Sequence, residues 1–197
     1  MRTVPVLAIA VLLSLVALPA AARPCDTAGS LVPNCGFDAG PDGWSFSGEP
    51  ATWVTDDCAT APGCMSIDRP TVTTAVEAIS TCFDVEPSTE YAYGGSFRLE
   101  SGVVTQVCAL DFWLYSDANC ESFLDFEFAP FAVSSLWREQ VAGVVTTATT
   151  QSAKLRLACF SEGSDFVVRV DDGLALPALF VDGFASGNLT RWSSSTP

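Results

Sequence analysis

Three residues in the middle of the chain have the types and the spacing that favour ligand binding. Asp111, Trp113 and Tyr115 occupy every second position at the end of the segment 107–115. Alternate side chains of a β-strand point to the same face, so the two aromatic positions would lie about 7 Å apart on one face, beside the carboxylate. Sugar rings stack their C–H faces on aromatic side chains and offer their hydroxyl groups to carboxylates. We therefore predict a ligand-binding surface formed by Asp111, Trp113 and Tyr115.

The same stretch carries a second alternating set, which is apolar and predicts a core-facing side of the strand. This set consists of Cys108, Leu110, Phe112 and Leu114. Lys154, Arg156 and Phe160 form the outward set of another predicted strand, and we expect them to line the same surface as Trp113. The alternative is that another layer of the protein covers this face, which would make the aromatic residues ordinary core.

Carboxylates offer a second kind of chemistry. Asp111, Asp125 and Glu127 include pairs of the kind that a glycoside hydrolase uses, but a shallow sheet face excludes water poorly. The chain contains no histidine, which excludes Ser-His-Asp and Cys-His catalysis and removes the commonest transition-metal ligand. We therefore predict a protein that binds its ligand without catalysing a reaction.

The charge balance limits the partners. The 197 residues include 9 Lys and Arg against 23 Asp and Glu, which gives a formal net charge of −14. An acidic surface repels phosphate backbones and anionic lipids. We therefore expect no binding to nucleic acid or to a bare membrane. Membrane insertion after signal cleavage is not expected either, because no later stretch is continuous or apolar enough to cross a membrane.

The first 22 residues have the features of a secretory signal peptide. Arg2 precedes an apolar run over residues 4–18, and the alanines at 20–22 favour cleavage. The remaining 175 residues (197 − 22) are enough for one hydrophobic core. We expect a secreted protein, extracellular or periplasmic, with a β domain over residues 23–178 and a short C-terminal tail over residues 179–197.

Eight cysteines follow the predicted signal peptide. An even number in an exported chain favours disulfides, with buried free thiols as the alternative. The short loop between Cys58 and Cys64 makes this pair the best supported. The other three pairings are weaker, because eight cysteines can combine in many ways. They are Cys25 with Cys35, Cys108 with Cys159 across the interior, and Cys82 with Cys120.

Short alternating segments between turns rich in Gly, Pro, Ser, Asp and Asn predict an all-β fold. No sustained helical period of apolar residues is present. The pattern is typical of an antiparallel β-sandwich or barrel. Strands are predicted at residues 31–38, 44–47, 51–54, 64–67, 76–85, 91–99, 107–115, 123–128, 137–145, 154–160 and 166–176.

Several segments, in order, resemble the jelly-roll carbohydrate-binding modules of families 4, 9 and 22. Residues 34–38 (NCGFD), followed by Gly43-Trp44, resemble the opening NxGFE…GW of these modules, and residues 170–176 (VDDGLAL) resemble the closing iDDvxL. Counterparts of the GSxSL, v.pGttY and W…sgtfTa segments lie at residues 63–67, 83–91 and 137–147. The resemblance covers residues 31–176. It implies a galactose-binding-like jelly-roll β-sandwich that binds carbohydrate.

The resemblance also implies one structural calcium ion. These modules often hold Ca²⁺ between the opening and closing strands, at positions that correspond to Asp38 and Asp171, and calcium favours such hard oxygen ligands. Asp172 directly follows Asp171, so its side chain is expected to point away from the same ion. The alternative is that Asp38 and Asp171 are solvated carboxylates near strand ends.

Two functions follow from these observations. The preferred one is an exported, non-catalytic carbohydrate-binding protein that recognises a poly- or oligosaccharide on the aromatic face at Asp111, Trp113 and Tyr115. The alternative is a structural or adhesive cell-envelope protein whose β-sandwich binds another protein. It is considered because carbohydrate-binding modules usually accompany a catalytic domain, and none is predicted in this sequence.

Overall fold

A computed structural model describes residue 25 and residues 29–47, 51–60, 62–69 and 75–177. The predicted signal peptide (1–22) and C-terminal tail (179–197) lie outside these residues. No helix in the described part of the chain is long and apolar enough to cross a membrane. The described strands are β1 (Trp44–Ser47), β2 (Ala51–Val54), β3 (Cys64–Arg69), β4 (Ala75–Ser80), β5 (Phe83–Asp84), β6 (Glu90–Gly102), β7 (Cys108–Tyr115), β8 (Phe123–Phe131), β9 (Arg138–Val145), β10 (Ser152–Phe160) and β11 (Phe166–Pro177).

The strands form two antiparallel sheets that pack face to face. Sheet A has the order β1-β4-β10-β7-β8, and the short strand β5 also pairs with β10. Sheet B has the order β2-β3-β11-β6-β9. The predicted all-β sandwich is therefore confirmed. The predicted strand over residues 76–85 is divided into β4 and β5.

The core forms where the apolar sets of the two sheets meet. The inward residues of β7 are all buried: Cys108, Leu110, Phe112 and Leu114. Phe112 contacts sheet B, because its ring centroid lies 5.1 Å from that of Tyr93 and 6.2 Å from that of Tyr91, both on β6. Phe83 of β5 packs on the same ring at 5.9 Å. The predicted inward face of β7 is confirmed.

Three of the predicted disulfides are present. They join Cys58 to Cys64, Cys82 to Cys120, and Cys108 to Cys159. The third differs from the expectation in its position. Cys108 and Cys159 are direct partners in the pairing of β7 with β10, so the bond joins neighbouring strands of one sheet and does not cross the interior.

The fourth predicted pair, Cys25 with Cys35, is not among the three disulfides seen between described residues. The two residues have different surroundings. The thiol of Cys25 donates to the Asp172 carboxylate at 3.6 Å. The backbone carbonyl of Cys35 accepts the Gly173 N–H at 2.8 Å. Both cysteines therefore lie against the Asp172–Gly173 segment of β11.

Residues 31–38 form turns, so the strand predicted there is wrong. Asn34 and Phe37 have φ of 48° and 50°, in the left-handed region that interrupts an extended strand. The Asn34 side-chain amide donates to the carbonyls of Gly40 at 2.9 Å and Asp42 at 2.8 Å. Such local hydrogen bonds make asparagine tolerant of this conformation. The Asn34 carbonyl also accepts the indole N–H of Trp44 at 3.1 Å.

Candidate functional site

A pocket of about 300 Å³ opens on the outer face of sheet A, the face turned away from the core. Its lining residues come from three neighbouring strands: Asp111, Trp113 and Tyr115 of β7, Phe123 and Phe126 of β8, and Arg156 of β10. The three residues singled out by their alternation are thus brought into one pocket, together with residues from the strands on either side.

Strand register explains this assembly, because directly paired residues of neighbouring strands point to the same face. Three rows cross the sheet, each with one residue from β8, β7 and β10. They are Phe123–Tyr115–Ser152, Phe126–Trp113–Lys154 and Phe128–Asp111–Arg156. The rows place aromatic rings along β8 and polar or cationic side chains along β10, with the predicted binding residues between them.

The exposure of these residues differs from the expectation for β7. Asp111 is 1% exposed and Tyr115 is 6% exposed, so neither stands on an open platform, and Trp113 is half-buried. Strand β7 has a neighbour on each side, and the side chains of those neighbours cover it. Strand β8 lies at the edge of the sheet, and its Phe126 and Phe128 are 48% and 45% exposed.

The phenylalanines of β8 were not among the predicted site residues. A signal for them is present in the sequence, since Phe126 and Phe128 alternate with Asp125 and Glu127. The ring of Phe123 meets that of Tyr115 edge-on, with 5.8 Å between centroids and 80° between planes. Only the pairing of β8 with β7 identifies which face of β8 joins the pocket.

A partly buried ion-pair network includes two of the residues that line the pocket. The Arg156 guanidinium donates to Oδ2 of Asp111 and also to Glu77 of β4. The second Asp111 oxygen, Oδ1, is buried and has no hydrogen-bond partner. Burial raises the pKa of Asp111, Arg156 opposes this shift, and the negative charge of Glu77 adds to it. Asp111 therefore keeps one carboxylate oxygen that accepts no hydrogen bond, which is rare for a buried polar group.

The cations of β10 stack on the aromatic residues of this face. The Arg156 guanidinium lies 5.6 Å from the ring centroid of Trp113 and 5.3 Å from that of Phe160. The Lys154 ammonium lies 5.7 Å from the Tyr115 centroid. Cation–π contacts of this length hold the rings in place. The expectation that Lys154, Arg156 and Phe160 share the surface of Trp113 is confirmed.

The acidic residues considered for catalysis are divided between two faces. Asp125 and Glu127 pair with the inward residues Leu114 and Phe112, whereas Asp111 points outward. These two acids therefore do not join Asp111 in the pocket. Inverting and retaining glycosidases both need two carboxyl groups across one sugar, and this arrangement does not supply them at the pocket.

The residues predicted to hold calcium are placed differently from one another. Asp171 is buried, and its carboxylate accepts the Thr60 N–H at 3.0 Å and the Thr60 hydroxyl at 3.3 Å. Asp38 is exposed, and its N–H donates to the Asn34 side chain at 3.2 Å. Within the described residues, no three acidic or cysteine side chains are grouped as metal ligands.

Asp172 converges on the same hydroxyl as Asp171, so the expectation that it points away is wrong. The Thr60 hydroxyl also donates to Asp172, at 3.0 Å. Asp172 has a φ of 52°, and the register of β11 shifts between Asp171 and Leu174, which breaks the simple alternation. Burial, and next the charge of Asp172, raise the pKa of Asp171 to about 7.

No protein-family model matches the sequence, and no curated protein matches it significantly. Solved structures do match. A family 16 carbohydrate-binding module is 15% identical, with a TM-score of 0.56 over 74% of this chain and 99% of that one. A family 61 module in complex with β-1,4-galactotriose is 13% identical, with a TM-score of 0.52 over 75% of this chain and 98% of that one.

Parts of larger enzymes match as well. An α-L-arabinofuranosidase is 14% identical, with a TM-score of 0.59 over 77% of this chain. This chain spans only 27% of that enzyme, and 21% of a bacteriophage CBA120 tailspike protein that it also matches. These likenesses show the fold: the chain has the β-sandwich of carbohydrate-binding modules, as the sequence motifs predict.

Proposed function

We propose that this protein is an exported, non-catalytic carbohydrate-binding protein that holds a poly- or oligosaccharide in the pocket of sheet A. One observation carries the proposal. The pocket places the rings of Trp113 and Phe126 beside Asp111, a buried carboxylate with an unused acceptor oxygen. Few ligands other than sugars combine an apolar ring face with a rim of hydroxyl donors.

The two halves of the site have separate roles in this proposal. The half-buried ring of Trp113 supports one face of a sugar, and the exposed ring of Phe126, its direct partner on β8, extends that support. Asp111 accepts a hydrogen bond from a sugar hydroxyl through Oδ1, while Arg156 holds Oδ2. A buried acceptor without a partner destabilises the protein by about 1–3 kcal/mol. A sugar with a hydroxyl at this position would therefore bind more tightly than one without it.

Three disulfides are consistent with an oxidising compartment. They support export, together with the features of residues 1–22. Matching structures include complexes with β-1,4-galactotriose and xylohexaose. β-Linked galacto- and xylo-oligosaccharides are therefore suitable first ligands for a binding assay.

Isothermal titration of a panel of soluble oligosaccharides against wild type and Trp113→Ala tests the proposal. We expect at least tenfold weaker binding in the variant, because a stacking ring is removed from the pocket. Trp137→Ala is the matched control, since Trp137 precedes β9 of the other sheet and donates its indole N–H to the Asp57 carbonyl at 3.0 Å. Binding that survives Trp113→Ala would remove the site assignment, and a failure to bind any glycan would remove the function.

We also propose that the protein binds one structural Ca²⁺ near Asp171. Two buried carboxylates that meet at one hydroxyl, those of Asp171 and Asp172, are hard oxygen donors of the kind that calcium needs. Calcium should then raise the thermal midpoint of wild type relative to a chelator, and Asp171→Asn should abolish the difference. An identical midpoint in calcium and in chelator would contradict the proposal.

Protein binding is the second candidate, and exposed phenylalanines on an edge strand favour it. Phe126 and Phe128 present large apolar surface next to the free backbone edge of β8. Such edges can pair with another chain. Hydrogen exchange tests this candidate. If the protein binds another protein through β8, the partner should slow the exchange of the β8 amides, and a glycan should not.

A further inference from the structure

Lys154 is the only lysine in the chain, and it lies on β10, beside residues of β7 that line the pocket. It is the direct partner of Trp113 in the pairing of β10 with β7, so both side chains point outward. Its ammonium lies 5.7 Å from the ring centroid of Tyr115, which lines the pocket. The charge is therefore held beside the surface on which a ligand would stack.

The two cations of this face differ in how their charges are balanced. Arg156 donates to both Glu77 and Asp111. Lys154 forms no ion pair with a carboxylate in the described part of the chain, where every ion pair uses an arginine. In a chain with 23 acidic residues and 9 basic ones, an uncompensated cation next to a pocket is unexpected.

Two acids towards the start of β10, Asp117 and Asp84, do not pair with Lys154. Asp117 accepts the N–H groups of Asn119 at 2.8 Å and Glu121 at 3.2 Å, so its carboxylate closes its own turn. Asp84 of β5 is the partner of Ser152, on the same face and two residues along β10 from Lys154. It makes no ion pair with Lys154 in the described structure. The ammonium thus remains available to an external anion.

We propose that the pocket prefers a saccharide with an anionic substituent, a carboxylate or a sulfate, which pairs with Lys154. This inference rests on the proposed carbohydrate-binding function. A ring that stacks on Trp113 has its equatorial substituents directed sideways, and the neighbouring strand lies about 4.8 Å away. A carboxylate or sulfate on that side of the ring reaches the ammonium, whereas a hydroxyl gains no charge interaction.

The test uses ligand pairs that differ only in charge. Oligogalacturonate is compared with its methyl ester, a glucuronic-acid-substituted xylo-oligosaccharide with xylohexaose, and a sulfated galactan with the unsulfated polymer. Titration calorimetry at low salt should give roughly threefold tighter binding of the charged member, as expected for a partly exposed ion pair. The difference should shrink at high salt because of screening.

Variants separate the charge of Lys154 from its packing. Lys154→Met keeps the aliphatic cover over Tyr115 and should remove the difference in affinity between the charged and the neutral member of each ligand pair. Lys154→Arg should retain the preference. Arg138→Met is the control, since Arg138 is an exposed cation on β9 of the other sheet.

The outcomes distinguish this inference from the function on which it rests. Equal binding of charged and neutral ligands by wild type, or a preference that persists in Lys154→Met, overturns the inference and leaves carbohydrate binding intact. Failure of every saccharide, charged or neutral, overturns both. A preference confined to the uronates or to the sulfated galactan supports the inference and identifies which anion the site takes.

Discussion

The outer faces of the two sheets have similar side chains but different surroundings. On sheet B, Arg98 and Arg169 form ion pairs with Asp57 and Asp56 of the loop that follows β2. On sheet A, cations and aromatic rings of β10 and β7 surround a pocket of about 300 Å³. The outer face of sheet B is thus the covered face, because the loop that follows β2 lies over it. The outer face of sheet A is the open face, because a pocket lies beside its aromatic rings.

The two faces also differ in the hydrogen-bond partners of their polar groups. The loop over sheet B is attached at several points, since Trp137 donates to the Asp57 carbonyl at 3.0 Å and Thr60 donates to Asp171. On sheet A, Oδ1 of Asp111 has no partner. A buried polar group without a partner destabilises the fold. Nε of Arg98 on sheet B also has no partner, so what distinguishes sheet A is that its unpartnered atom, Oδ1 of Asp111, belongs to a residue that lines a pocket.

The largest expected effect is on stability, from Arg156→Met on the open face. The substitution leaves Asp111 buried without its cation, and we expect a loss of about 3 kcal/mol in the free energy of unfolding. Arg98→Met is the matched change on the covered face. Its partner Asp57 is 61% exposed, so the loss should stay below about 1 kcal/mol. Urea denaturation measures both, and equal losses would mean that the two networks do not differ.

The double variant Cys58→Ser/Cys64→Ser tests whether the covering loop is only structural. Loss of the bond that closes this short loop should cost about 2 kcal/mol of unfolding free energy. Glycan affinity should stay unchanged, because the loop lies over sheet B and the pocket over sheet A. A parallel loss of affinity, measured by titration in the folded range, would show that the faces are coupled.

Phe126→Ala tests the exposed part of the open face. The ring is the direct partner of Trp113 and is 48% exposed. Its removal should weaken glycan binding about fivefold, which corresponds to about 1 kcal/mol of aromatic contact. Val141→Ala, at an exposed apolar position on the edge strand of sheet B, should leave affinity unchanged. Equal effects of the two variants would assign binding to edge hydrophobicity in general.

The smallest expected effect is the pH dependence of the stability that Asp111 contributes on the open face. Burial, despite Arg156, raises the pKa of Asp111 above its unfolded value of about 4. Between the two values the folded state binds more protons, so this contribution to stability decreases as pH rises through the window that starts near pH 4. The difference in unfolding free energy between wild type and Asp111→Asn should therefore fall with rising pH.

Asp117, in the turn that follows β7, should give the opposite dependence of stability on pH. Desolvation acts to raise its pKa, but the N–H groups of Glu121, Ser122 and Asn119 outweigh this and lower the pKa to about 2. The stability that it contributes is present above about pH 4 and is lost as pH falls towards 2. The difference between wild type and Asp117→Asn should rise with pH over that range. Two slopes of the same sign would contradict the assigned environments.

Much of the fold could be predicted because strand periodicity is local. Cys108, Leu110, Phe112 and Leu114 form one alternating apolar set, and this pattern predicts that they face the core. The candidate site could be predicted only in part. Asp111 and Trp113 are adjacent outward positions of one strand, but the contribution of Phe126 depends on which strand pairs with β7.

Some predictions failed where the backbone leaves its regular conformation. Residues 31–38 were predicted as a strand, but Asn34 and Phe37 adopt positive φ, a conformation that asparagine tolerates well and that a phenylalanine does not signal. Asp172 does the same in β11 and turns towards Thr60, where alternation would direct it away. Such departures depend on contacts made by other parts of the chain.

The sequence by itself determined the all-β class, the division of β7 into two faces, and the local pair Cys58–Cys64, since these depend on neighbours along the chain. The tertiary structure decided which faces are covered, that Cys108 and Cys159 join adjacent strands, and that Asp111 and Tyr115 are buried while Phe126 is exposed. The physical reason is that alternation assigns a side chain to a face. Exposure and charge compensation depend on the strands and loops that pack beside it.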